Sequence, residues 1–176
     1  MKKQKGFTQT PRRVLGFTLI ELLVVIAIIG LLSTLAVVAL NNARQKSRDA
    51  RRVSDIKQVQ TALELYYNDE GGYPSVGTAA ALGETGYLCL DEDGFAGTCP
   101  QAAGNTVYMG QVPDDPDTTY DNYNYCSTTA AAPTTCAAST ESYMIVFGLE
   151  GATGGLTCET YSAICCRATP SGITCS

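Results

Sequence analysis

From Phe17 to Leu40 the chain reads FTLIELLVVIAIIGLLSTLAVVAL, 24 residues with one charged side chain, Glu21. As a helix at about 1.5 Å per residue this run reaches roughly 36 Å, enough to cross a hydrocarbon layer of about 30 Å. A segment of that kind has two stable environments, lipid or other apolar helices, and either one rules out an ordinary cytosolic domain. Ahead of it lie Lys2, Lys3, Lys5, Arg12 and Arg13 with no acid, the pattern of a cytoplasmic anchor. The other flank is also basic (Arg44, Lys46, Arg48, Arg51, Arg52, Lys57), so charge counting alone leaves the orientation open. The cysteines orient the chain: all eight lie beyond residue 88, which suits an oxidising space outside the cytoplasm.

Charge is segregated in the same sense. Residues 1–57 carry 11 Lys and Arg against three acids, a balance of +8; residues 58–176 carry Arg167 against 14 acids, a balance of −13. The distal part therefore repels phosphate, which disfavours nucleic acid as its partner. There is no histidine, so the commonest general base and metal ligand is missing, and no nucleophile or paired-acid arrangement points to an enzyme.

A secretory signal peptide would end in a cleavage site after a shorter apolar run. Here the cleavage-like feature precedes the run, at Gly16-Phe17-Thr18-Leu19-Ile20-Glu21. The basic leader, Gly, aromatic residue, glutamate and apolar helix in this register resemble the type IV pilins and the related type II secretion pseudopilins. A second Gly-Phe-Thr at Gly6–Thr8 has two arginines and no apolar run behind it. The resemblance implies cleavage between Gly16 and Phe17 by a membrane prepilin peptidase, with N-methylation of Phe17. It implies a helical homopolymer or mixed pilin filament, built at an inner-membrane assembly platform from subunits first held in the bilayer. Glu21 is then the assembly residue: a carboxylate inside an apolar segment needs an opposite charge, and the freed Phe17 amine of a neighbouring subunit supplies one.

Beyond the membrane, Val53, Ile56, Val59, Leu63 and Tyr66 or Tyr67 recur at spacings of three and four, one face of an amphipathic helix. Asp49–Arg52 and Arg51–Asp55 read as opposite-charge pairs on its exposed faces, and Gly71, Gly72 and Pro74 end it near Asn68. Residues 75–104 read as an irregular loop. Strands are expected at 106–112, 123–126, 142–150, 162–168 and, weakly, 156–159, in an antiparallel sheet, with a turn at 151–155. The Ser/Thr/Ala-rich segment 127–140 reads as an exposed loop open to O-glycosylation.

The expected fold is thus α+β: a leader at 1–16, a polymerisation helix at 17–40, an amphipathic helix at 41–70 and a disulfide-stapled head at 71–176. Eight cysteines allow 105 complete pairings. Short loops favour Cys89–Cys99 and Cys126–Cys136, leaving Cys158, Cys165, Cys166 and Cys175 open, with Cys165 and Cys166 unable to bond to each other. Asp114, Asp115, Asp117 and Asp121 form an acidic, proline-containing loop that resembles one found in pseudopilins and some pilins, and calcium is its candidate ligand; the alternative is ordinary Asp and Pro turn chemistry. The function expected is a structural subunit of a type IV pilus-like filament. The alternatives are a type II secretion pseudopilus subunit, in the periplasm rather than on the cell surface, or a minor pilin acting as adhesin or DNA-uptake module.

Overall fold

One helix, α1 (Leu19–Glu70), dominates the computed structural model, which describes residues 16–117, 122–128, 136, 138–151 and 164–175. It starts two residues after the expected position and stops two residues later than expected. Its end is set by Gly71, whose φ of 72° lies in the left-handed region and whose amide still bonds the Tyr67 carbonyl.

The chain divides into two compact units, one through Asn41 and one from Asn42. In the first, every described residue is exposed, including Leu19, Leu31 and Val38. The helix runs unbroken through Gly30, Ser33 and Thr34, because both hydroxyls donate to backbone carbonyls of the preceding turn (Ile29 and Leu31) and expose no unmatched polar group to an apolar medium.

In the second unit α1 becomes one-sided. Ile56, Val59, Ala62 and Leu63 are buried, Val53 and Tyr66 half-buried, and Tyr67 is exposed. This stripe packs on a five-stranded antiparallel sheet of order β1-β5-β6-β7-β8, from β1 (Ala80–Ala81), β5 (Asn124–Ser127), β6 (Tyr143–Leu149), β7 (Ile164–Thr169) and β8 (Gly172–Cys175). Along β6, Tyr143, Ile145, Phe147 and Leu149 all enter the core, and Met144 and Gly148 on the opposite face are buried as well, so the strand is covered on both sides. Rings do much of the filling: Tyr73–Tyr143 and Phe95–Tyr125 meet edge to face at 4.7 and 5.0 Å. Each such pair contributes about 0.5–1.5 kcal/mol beyond its buried area.

Residues 75–104 are more ordered than a loop. They supply β1 and most of a second sheet of order β3-β2-β4, from β2 (Cys89–Asp91), β3 (Gly94–Ala96) and β4 (Val107–Met109). The fully buried Asp91 carboxylate organises the segment, accepting the amides of Asp93 and Gln101 and the Gln101 side chain. Ser127 is likewise no loop residue. It is buried in β5, and its hydroxyl both donates to and accepts from the Val76 backbone. Most of the remainder of 127–140, the 156–159 strand and the 151–155 turn lie outside the described residues.

Gly83 shows where the sheets and the 113–115 loop meet. Its φ is +81°, and a Cβ there would sit 2.7 Å from the Asp114 Cα and 2.9 Å from the Pro113 carbonyl oxygen. Gly83→Ala should therefore lower head stability by about 2–4 kcal/mol in a denaturant titration, combining left-handed strain with backbone overlap; an unchanged midpoint would contradict this packing.

Candidate functional site

At the N-terminus of α1, Thr18 and Glu21 form a capping box. The Thr18 amide and hydroxyl each donate to Glu21 Oε2 at 2.8 Å, and the Glu21 amide donates back to Thr18 Oγ1 at 3.3 Å. Both of the carboxylate's local bonds fall on Oε2, so Oε1 stays open to a donor from outside the chain. Phe17, just before the cap, is 84% exposed. Gly16 has nothing within 4 Å of where a Cβ would lie. The Gly16-Phe17 junction thus stands as accessible backbone directly ahead of the helix, with the carboxylate one turn inside it.

A second polar centre ties α1 to the head, and here sequence reasoning went astray. The Asp49–Arg52 pair expected on an exposed face is buried. Arg52, fully buried, donates through Nε and Nη2 to the two oxygens of Asp115 at 2.8 and 2.9 Å, and through Nη1 to Asp49 at 3.0 Å and Glu150 at 2.7 Å. Arg48 bonds Glu150 through two nitrogens, and Asp49 accepts the amides of Glu150 and Gly151 at 2.9 Å each. One guanidinium so joins a helix, a loop and a strand end. Burial works against the Arg52 charge, but the Asp115 and Glu150 carboxylates outweigh it and hold the group more basic than usual. The bonds from Arg48, then Arg52, hold the Glu150 carboxyl below its ordinary range. Asp55 moves the other way: its burial raises it, partly offset by a bond from the Tyr123 hydroxyl and by Arg51. The expected Arg51–Asp55 pair forms at 3.7 Å with Arg51 exposed, but Asp55, like Asp49, is buried.

Of the four aspartates expected to hold calcium, the three described ones, Asp114, Asp115 and Asp117, already have protein partners. Asp115 is filled by Arg52 and by the Asp117 amide, Asp117 lies 3.9 Å from Arg48, Asp114 accepts the Asp115 amide, and Asp121 lies outside the described residues. Among the described residues no cluster of three or more acidic or sulfur ligands is placed to hold a metal. An arginine occupies the place in the loop where the sequence suggested a cation. Addition of calcium or of EDTA should accordingly leave the melting temperature of the head unchanged; a calcium-dependent rise would show that the loop opens to exchange Arg52 for metal.

The described cysteines are bonded as Cys89–Cys99, Cys126–Cys136 and Cys166–Cys175. The first two close short loops, and the third joins facing residues of the β7–β8 hairpin. Cys158 lies outside the described residues, and of Cys165 only the backbone, in β7, is described.

An exposed apolar helix long enough to cross a membrane, headed by an accessible Gly-Phe junction, and a disulfide-stapled head fit a subunit that inserts into a membrane and enters a pilus or pseudopilus. Known proteins agree. A model of the prokaryotic N-terminal methylation motif matches residues 11–37. The type II secretion system core protein G of Aeromonas hydrophila is 34% identical over 105 residues, 60% of this chain and 68% of that protein. The same core protein from Pectobacterium carotovorum is 33% identical over 113 residues, 64% and 68% of the two chains. The type IV major fimbrial protein FimA of Dichelobacter nodosus is 37% identical over 107 residues, 57% and 65%. No solved structure matches. The chain belongs to the family of type IV pilins and type II secretion pseudopilins, a family of structural subunits rather than enzymes.

Proposed function

We propose that the chain is a prepilin whose mature form begins at Phe17 and serves as a structural subunit of a type IV pilus-like filament. The observation that carries this reading is the first 23 residues of α1, Leu19–Asn41, exposed along their whole length and apolar but for Glu21, Ser33, Thr34 and Asn41. Such a surface is stable in lipid or against copies of itself, and a subunit that uses each in turn is a polymerising one. Residues 1–16 are the leader removed by a prepilin peptidase, 17–40 the membrane and polymerisation segment, 41–70 the support of the head and 71–176 the head itself. Before assembly the subunit crosses the inner membrane once with its head outside the cytoplasm; an inner-membrane assembly platform then extracts it. Glu21 pairs with the methylated amine of a neighbour's Phe17. The subunit catalyses no reaction.

The core protein G relatives favour a second reading, a pseudopilus subunit of a type II secretion system. Fractionation separates the two: a pilus subunit is recovered in filaments sheared from the cell surface, a pseudopilus subunit only with the cell envelope. For processing, the intact mass of the mature chain should show loss of 16 residues and gain of one methyl group, and Gly16→Val should block the cut because a branched Cβ obstructs the extended backbone at the peptidase. A mature terminus beyond Leu40 would overturn the proposal.

A further inference from the structure

The six cations that follow the apolar run are used in two ways. Arg48 and Arg52 are turned inward and neutralised by Glu150, Asp115 and Asp49, and Arg51 lies 3.7 Å from Asp55. Arg44, Lys46 and Lys57 are exposed and make no ion pair among the described residues. Lys46 and Lys57 are about three helical turns apart, so they stand on one side of α1. Beside them the helix turns Ala43, Ser47, Ala50 and Ser54 outward, all exposed, small enough to let another chain come close.

The far end of the same helix is negative. Asp69 and Glu70 close α1, and Glu92 and Asp93 are held beside them. The Tyr66 hydroxyl donates to the Glu92 carbonyl at 3.3 Å, and Tyr108, edge to face with Tyr66, donates to Glu70 Oε1 at 3.4 Å. Asp69, Glu70 and Asp93 are exposed and Glu92 half-buried, and none of the four makes an ion pair among the described residues. Their partners Asn105 and the Thr106 amide are neutral and leave the charge in place. Charge therefore has a direction along this part of the molecule. Lys57 and Lys46 precede Asp69 by about 18 and 35 Å of helix. Two parallel copies in register would set like charges level; shifted by that distance, the cations of one face the acids of the other.

On the reading that the chain polymerises, we infer that the exposed side of α1 at Lys46 and Lys57 docks a second copy of this chain through that copy's Asp69, Glu70, Glu92 and Asp93. The two surfaces differ, and each copy carries one of each. The axial shift keeps the contact from closing into a ring, so it repeats as an open helical array. Exposed charges of this kind select the register of packing more than they strengthen it.

The test measures filament sheared from cells making the full chain, with the oxidised envelope pool as the check on folding. Lys46→Glu/Lys57→Glu yields a chain negative at both ends, and Asp69→Lys/Asp93→Lys a chain positive at both. Each alone should lower filament yield about tenfold, because like charges then meet at every contact. All four positions are exposed, so the envelope pool should stay folded and oxidised. Made together, the two chains should recover most of the wild-type yield, since each negative end then finds a positive neighbour. A single chain with all four changes should recover it alone. Unchanged yield in either double variant overturns the inference. Loss without recovery in the mixture and in the fourfold variant overturns it too, by assigning the cations to another partner such as an anionic lipid. Recovery in the fourfold variant without recovery in the mixture makes the pairing internal to one chain, which also overturns it. Absence of polymer from the wild-type chain refutes the polymerising reading and the contact with it; wild-type polymer with indifferent variants refutes the contact alone.

Discussion

Glu21→Gln should be processed normally, keep its helix cap, and fail to assemble. Glutamine can still accept the Thr18 amide and hydroxyl bonds that Glu21 accepts at 2.8 Å, since either residue serves at the third position of a capping box. What glutamine lacks is charge. In a filament core the Phe17 ammonium of the neighbour would then lie in a low-dielectric medium without a counter-ion, and a buried charge stripped of its partner is strongly destabilising. Sheared filament yield should drop by about tenfold or more for Glu21→Gln and for Glu21→Ala alike. The uncharged subunits should build up in the membrane fraction, because loss of a carboxylate favours the bilayer. If Glu21→Gln assembles like the wild type while Glu21→Ala does not, the residue acts only as a cap and the intersubunit pairing is wrong.

Arg52→Ala should be the most damaging single substitution in the head. It removes the one cation that Asp49, Asp115 and Glu150 share, and leaves the fully buried Asp115 side chain without its two charged bonds. Breaking a buried pair in this way costs about 3–5 kcal/mol, which for a domain of this size lowers the melting temperature by roughly 10–20 °C. Arg52→Lys should recover only part of that loss, since an ammonium cannot make the forked contact to Asp115. Combining Arg52→Met with Asp115→Leu should cost less than the sum of the two single changes; additive losses would show that the pair is not coupled.

The same cluster gives the head an acid limit. Glu150 titrates below its ordinary value near 4.5 in the native state, so its contribution is complete above that value and is lost as pH falls toward the depressed one. Asp55, raised by burial, acts in the opposite sense, and its protonation on acidification relieves a native-state penalty. Melting temperatures measured between about pH 3 and 6 should therefore fall less steeply in Glu150→Gln than in the wild type.

Much of this architecture was legible in the sequence where a pattern was long. The apolar run and the stripe through Ile56, Val59 and Leu63 each repeat over several residues, and both lie where their pattern places them. The strands at 80–96 escaped notice because they are two or three residues long and rich in Gly and Ala, too short to show a period. β8 (Gly172–Cys175), four residues long, is likewise too short to show a period. Arg52 was misread for a different reason. Three-residue spacing to Asp49 is what an exposed helical pair looks like, and only Asp115 and Glu150, 63 and 98 residues away in sequence, reveal that this face is covered. Long-range polar contacts leave no local signature. Recognition of the Gly16–Glu21 junction rested instead on five features falling in register, which no single periodicity could supply.

The position of the disulfides decides how the subunit bears load. Every cysteine lies beyond residue 88, so none can bond to the helix, and the three described bridges each close a segment of nine or ten residues within the head. Apart from the backbone that leaves α1 at Gly71, tension applied along α1 is passed to the head by side chains: Arg48 and Arg52 to Glu150 and Asp115, Gln60 to the Thr169 carbonyl, and the Ile56–Leu63 stripe to the sheet. Under a rising pull the joint between helix and sheet is the part that gives, while each bridged loop keeps its own shape. The covalent links thus work as local hoops, and a fibre made of such subunits yields at a seam that can close again once the strain is removed.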